Sequence, residues 1–78
     1  MDYLEEIESI ILDLRADSPE LADQLKEHYE YSFISSELLS GCVSFLLQIQ
    51  QDVNPKIGDK ILDLQRFCNQ IGLYPTGN

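Results

Sequence analysis

The residues of this chain able to do chemistry are carboxylates, and they crowd into its first half. Glu5, Glu6, Asp13, Asp17, Glu20, Asp23, Glu27 and Glu30 recur there, many of them three or four residues apart. On a helix, acids at that interval stand ~5 Å apart along the axis. This is of the same order as the ~3.4 Å spacing of phosphates along a DNA strand. A face built this way can occupy a basic, nucleic-acid-binding surface on another protein. Tyr29 and Tyr31, beside Glu27 and Glu30, are suited to anchor such a contact, because interfaces favour tyrosine. Through residue 37 there are eleven acids against Arg15 and Lys26, whereas from residue 38 onward Asp52, Asp59 and Asp63 balance Lys56, Lys60 and Arg66. The whole formal charge of −9 therefore belongs to the first half. A requirement for solubility alone would not confine it so.

The same inventory argues against other classes. Acid–base catalysis needs a carboxylate perturbed by burial, and these carboxylates read as solvated. No histidine accompanies a serine or cysteine nucleophile in a recognisable pattern. His28 shares the face of Leu21 and Leu25 and reads as a core-boundary residue. The Asp/Asn–Gly pattern of a calcium loop and the glycine loop of a phosphate site are both missing. Two cysteines and one histidine are too few for a metal centre. The expectation is a protein that is not an enzyme, with no cofactor and no metal.

A net charge of −9 repels phosphate backbones and anionic membranes. The partner to expect is thus a basic protein, with no direct nucleic-acid or membrane contact. Cys42 and Cys68 each fall on an apolar helical face, as buried thiols do in a reducing compartment. The N-terminus is acidic where a secretory signal would be basic. The longest uncharged run, Leu38–Gln51, is too short to span a bilayer. Together these features suggest a cytoplasmic location.

These residues must be positioned by helices. Leu4, Ile7, Ile11 and Leu14 recur at helical spacing and predict a first helix over about 2–16, with Leu12 off the stripe as a stray leucine or a second contact. Ser18 and Pro19 form a cap and a first helical position, opening a second helix over about 19–30. Tyr29, Tyr31 and Phe33 alternate as in a strand, but a lone strand has no partner, so residues 31–35 read as a turn or a helical end. The third helix, about 36–52, carries Leu38, Cys42, Phe45, Leu46, Ile49 and Val53 on a face too broad for an ordinary surface helix. It is expected to be central. Asn54 and Pro55 repeat the cap logic for a fourth helix over about 55–71. Gly72 stops it in a left-handed turn onto which Leu73 folds back. Residues 74–78 read as a short tail.

The third helix also bears a polar but uncharged stripe, Ser40, Gly41, Ser44, Gln48 and Gln51. Interface cores are depleted of charge, so this stripe is a candidate self-association surface. The alternative is a face half-buried against another helix of the same chain. The expected architecture is a single all-α domain over residues 1–73, a compact four-helix bundle. In size, acidity and helical content it is similar to small bacterial immunity proteins and phage-encoded inhibitors, a likeness of fold and charge only. The tyrosine–tyrosine–proline signature of the nuclease-colicin immunity family is absent. The expected function is a non-enzymatic inhibitor or neutraliser that docks its first two helices onto a basic, nucleic-acid-binding protein. The alternative is a homodimeric structural or adaptor subunit joined through the third helix.

Overall fold

Among the described residues four α-helices follow one another: α1 (Tyr3–Asp17), α2 (Pro19–Tyr31), α3 (Ser35–Ile49) and α4 (Pro55–Gln70), with a 3-10 turn, Gln50–Asp52, closing α3. The structure, a computed structural model, describes residues 2–31 and 35–75, apart from the side chain of Ser35. Of the segment 31–35, expected as a turn or a helical end, Tyr31 ends α2 and Ser35 begins α3, while residues 32–34, like the end of the tail, 76–78, lie outside the described residues.

The helix ends follow from local chemistry. Asp2 caps α1, its carboxylate accepting from the N–H of Leu4 at 3.1 Å and of Glu5 at 3.4 Å. Glu5 and Glu6 occupy the first turn and Arg15 the last, matching the helix dipole. Ser18 alone separates α1 from α2. Its N–H donates to the Leu14 carbonyl at 2.6 Å, and its own carbonyl accepts from Ala22 at 3.1 Å. Asn54 caps α4, its side-chain oxygen accepting from Ile57 N–H at 3.0 Å, with Pro55 at the first helical position. At the far end Gly72 adopts φ 86°. The N–H of Leu73 donates to Cys68 at 2.8 Å and that of Gly72 to Asn69 at 3.3 Å, the two bonds of a Schellman cap. The third helix was expected to stay α-helical to residue 52. Instead the α-helix ends at Ile49 and its last turn tightens into 3-10 geometry before the Asn54–Pro55 joint.

The helices close into a ring in which α1 packs on α2 and α4, and α3 packs on the same two. Glu8 meets Tyr29, and Arg15 meets Asp23, so α1 and α2 run antiparallel. Tyr3 stacks on Phe67 (centroids 5.7 Å apart), Ser9 and Asp13 meet Lys60, and Asp17 meets Asn54, so α1 and α4 are antiparallel too. Among the described residues the core is wholly apolar, with no buried polar or charged side chain. α3 is central in what it contributes: Leu39, Cys42, Val43, Phe45, Leu46 and Ile49 are all buried. The Cα radius of gyration, 11.2 Å, matches the ~11.5 Å expected for a compact domain of this length.

Leu12 and Leu14 differ sharply, 69% and 0% exposed. Leu14→Ala should lower stability in urea unfolding by about 2–5 kcal/mol, whereas Leu12→Ala should stay within about 0.5 kcal/mol. Gly72→Ala should cost about 1 kcal/mol, because a Cβ there is strained by its positive φ.

Candidate docking face

The acids of the first half divide between two sides of α1. Residues 9 and 13, one turn apart, point to α4. There the Lys60 ammonium donates to Ser9 Oγ at 2.6 Å and to Asp13 Oδ2 at 2.7 Å, with Lys60 and Asp13 each about a quarter exposed. The hydrogen bond from Lys60 holds the Asp13 carboxyl below its usual range, against a partial desolvation that raises it. Asp17 joins the same seam, accepting from the Asn54 carboxamide at 2.6 Å. Asp13 and Asp17 thus hold α1 to α4, whereas the sequence reading placed them with the other docking acids. Glu6, half-buried, lies on α1 one helical stripe with Asp13 and Asp17.

The other side of α1 faces α2 across an open groove of ≈ 510 Å³. Ile11, Leu12 and Tyr29 make its apolar lining, and Glu8, Arg15, Lys26 and Glu30 its polar rim. Tyr29 is half-buried against the core, and its hydroxyl donates to Glu8 Oε1 at 2.9 Å. Burial first, then that hydrogen bond to a carboxylate, push its phenol above the ordinary value. Arg15 pairs with Asp23 at 3.3 Å and Lys26 with Glu30 at 3.7 Å, all four side chains well exposed. Glu5, Glu20, Glu27 and Tyr31 are exposed as well, Tyr31 by 76%.

The groove therefore has an apolar floor and a charge-balanced rim, and the exposed acids Glu5, Asp23 and Glu27 lie on the same two helices beyond it. Both cations of the first half line the groove together with Leu12. Reading by charge alone picked out the surrounding acids and passed over Glu8, Ile11, Leu12, Arg15 and Lys26. The available signal was Leu12, a large apolar residue outside the core stripe.

The α3 stripe is less available. Ser40, Gly41 and Ser44 are half-buried, and Gln48 and Gln51 are exposed. Gly41 looks toward α2: a Cβ there would lie 3.9 Å from His28 Nδ1. The His28 ring packs on Phe45 with centroids 5.2 Å apart. Cys42 and Cys68 are both free and buried, and burial pushes the Cys42 thiol up to about 12 and raises that of Cys68. Among the described residues no group of three or more His, Cys, Asp or Glu is arranged to hold a metal ion, and no helix is long and apolar enough to cross a membrane.

Comparison with known protein families, with curated proteins and with solved structures finds no match. The functional reading rests on the geometry above.

Two titrations follow. Asp13 is depressed when folded, so its contribution is fully present above the unfolded carboxylate value of ~3.9 and is lost as pH falls through the lower folded value. Asp13→Asn should cost about 0.5–1.5 kcal/mol at neutral pH and flatten the fall in stability below about pH 4, measured by urea unfolding across pH. The Cys42 thiol is raised to about 12, so the protonated, folded state is favoured below the unfolded value of ~8.5 and loses ground as pH climbs toward 12. A thiol-specific reagent at pH 8 should accordingly leave both cysteines of the folded protein unmodified and label both in denaturant.

Proposed function

We propose that this protein is a non-enzymatic, acidic binding module, an inhibitor or neutraliser that docks the α1–α2 face onto a basic partner. The observation that carries this reading is Leu12, 69% exposed in an apolar groove between two helices that carry most of the exposed carboxylates of the chain. An exposed leucine alone is ordinary. Here it stands beside Tyr29 and Arg15, of the residue types that dominate binding energy at interfaces. An apolar centre with a charged rim is the anatomy of an interface in which the centre supplies affinity and the rim excludes water and steers approach. The rim itself carries two carboxylates and two cations, and the exposed Glu5, Asp23 and Glu27 on the same two helices make the surrounding surface acidic, so the α1–α2 face favours a positively charged partner. Nucleic-acid-binding proteins present surfaces of that kind. Such a partner and the two buried free thiols fit a cytoplasmic setting.

The second reading, a homodimer through α3, has less behind it, because Gly41 is turned toward His28 of the same chain. Glu5, Glu20, Asp23, Glu27, Glu30 and Tyr31 are exposed members of the expected docking set, Asp17 is exposed but turned to the α1–α4 seam, and Tyr29 contributes from within the groove.

The test is recovery of partners from the source cell on immobilised wild-type protein beside Leu12→Asp. The expected result is a basic protein retained by wild type, lost with Leu12→Asp, and released between about 0.1 and 1 M salt, over which the Debye length falls from ~10 to ~3 Å. Retention unchanged by either the substitution or the salt would refute the reading.

A further inference from the structure

The α1–α2 groove has a shape as well as a charge, and both constrain what fits. Its walls are two antiparallel helices of 15 and 13 residues joined by one residue, and its lining runs about 10 Å along α1, from Glu8 to Arg15, opposite Lys26, Tyr29 and Glu30 of α2. Among the described residues there is no strand, hence no sheet edge to which an extended peptide could add. Two antiparallel helices leave a furrow between their side-chain ridges, and the element that fills such a furrow along its length is a third helix. We infer that the occupant of this groove is an amphipathic helix of the partner, with an apolar seam seated on Ile11, Leu12 and Tyr29 and with lysine or arginine flanking that seam on both sides.

The inference rests on the docking function proposed above and adds the form of the partner. Charge complementarity runs along both walls. On α1, Glu5 and Glu8 precede Leu12 by seven and four residues, on its side of the helix. On α2, Asp23, Glu27 and Glu30 follow one another at four and three residues. A basic flank on the incoming helix therefore has Glu5 and Glu8 to meet at one end of the α1 wall and Asp23, Glu27 and Glu30 along the α2 wall, with Arg15 and Lys26 the two cations it must pass. The existing pairs do not block this. Lys26–Glu30 at 3.7 Å and Arg15–Asp23 at 3.3 Å join half-exposed side chains, and pairs of that kind are weak enough to exchange for an incoming cation. The Tyr29 hydroxyl bonded to Glu8 at 2.9 Å holds the ring in place, so the apolar seat is formed before the partner arrives.

The experiment uses the full chain and three labelled peptides of about 18 residues, ~27 Å as helices. The first has leucines at helical spacing flanked by lysines. The second has the same composition in an order that breaks the periodicity. The third keeps the periodicity with glutamate in place of lysine. Fluorescence anisotropy at about 0.1 M salt gives affinity, and circular dichroism gives helix induction. The periodic basic peptide should bind roughly tenfold or more tighter than its scrambled form and become helical on binding, and the acidic peptide should not bind. Leu12→Asp and Leu12→Ser should each weaken the periodic peptide roughly tenfold, with unchanged circular dichroism of the protein, whereas Gln48→Asp on α3 should have no effect. Equal, salt-sensitive binding of the periodic and scrambled peptides would overturn the helical occupant while leaving a basic partner in place. Binding of neither basic peptide, or affinity indifferent to both Leu12 substitutions, would overturn the docking face itself.

Discussion

Burial of Ile7, Ile10, Ile11 and Leu14 sets the rotation of α1, and the ammonium of Lys60 fastens the helix in that setting. The ammonium reaches Ser9 at 2.6 Å and Asp13 at 2.7 Å, closing the last helix of the ring against the first. Successive residues of a helix point about 100° apart. With Asp13 turned to α4 and Ile11 and Leu14 turned to the core, Leu12 has nowhere to point but outward. Supporting contacts at both ends of the same seam, Asp17 with Asn54 and Tyr3 with Phe67, prevent the helix from rolling. The hydroxyl and carboxylate that satisfy Lys60 are thereby withdrawn from the outer face.

That withdrawal shapes the charge. What remains along the α1–α2 groove is a rim that holds both cations of the first half with Glu8 and Glu30, on two helices whose other exposed residues include Glu5, Asp23 and Glu27, an arrangement that division of charge between the two halves of the chain does not by itself disclose. Exposed ion pairs such as Arg15–Asp23 contribute little to stability, so they leave the bundle to its apolar core and remain free to rearrange. In the proposed docking, long-range attraction would bring a basic partner near, and burial of Leu12 and the edge of Tyr29 would then hold it. Rate and affinity are thus assigned to different residues of one face.

The fold was legible wherever its cause was local. Asn54 with Pro55, Ser18 with Pro19, and Gly72 with Leu73 act through neighbours a few residues away, and each marks a helix end where it was expected. The apolar spacing of Ile7, Ile11 and Leu14 identified the buried side of α1 for the same reason. What could not be read was which residues face one another across helices. Asp13 looked like any other acid of its stripe until α4 brought Lys60 to it, 47 positions along the chain. Glu8 likewise acquired meaning only from Tyr29. The register between helices is set by packing of whole faces, and no short spacing encodes it. The early end of α3 at Ile49 belongs to the same class, since nothing between Gln48 and Gln51 forbids an α-helical turn.

The central claim is that the groove beside Leu12 is where this protein meets its partner. Amide chemical-shift mapping of the isotope-labelled protein, on addition of the lysine-flanked helical peptide, tests it most directly. The account predicts perturbations centred on Glu8, Leu12, Arg15, Lys26 and Tyr29, fading toward α3 and α4. Perturbations centred instead on Ser44, Gln48 and Gln51, with the groove unmoved, would contradict it.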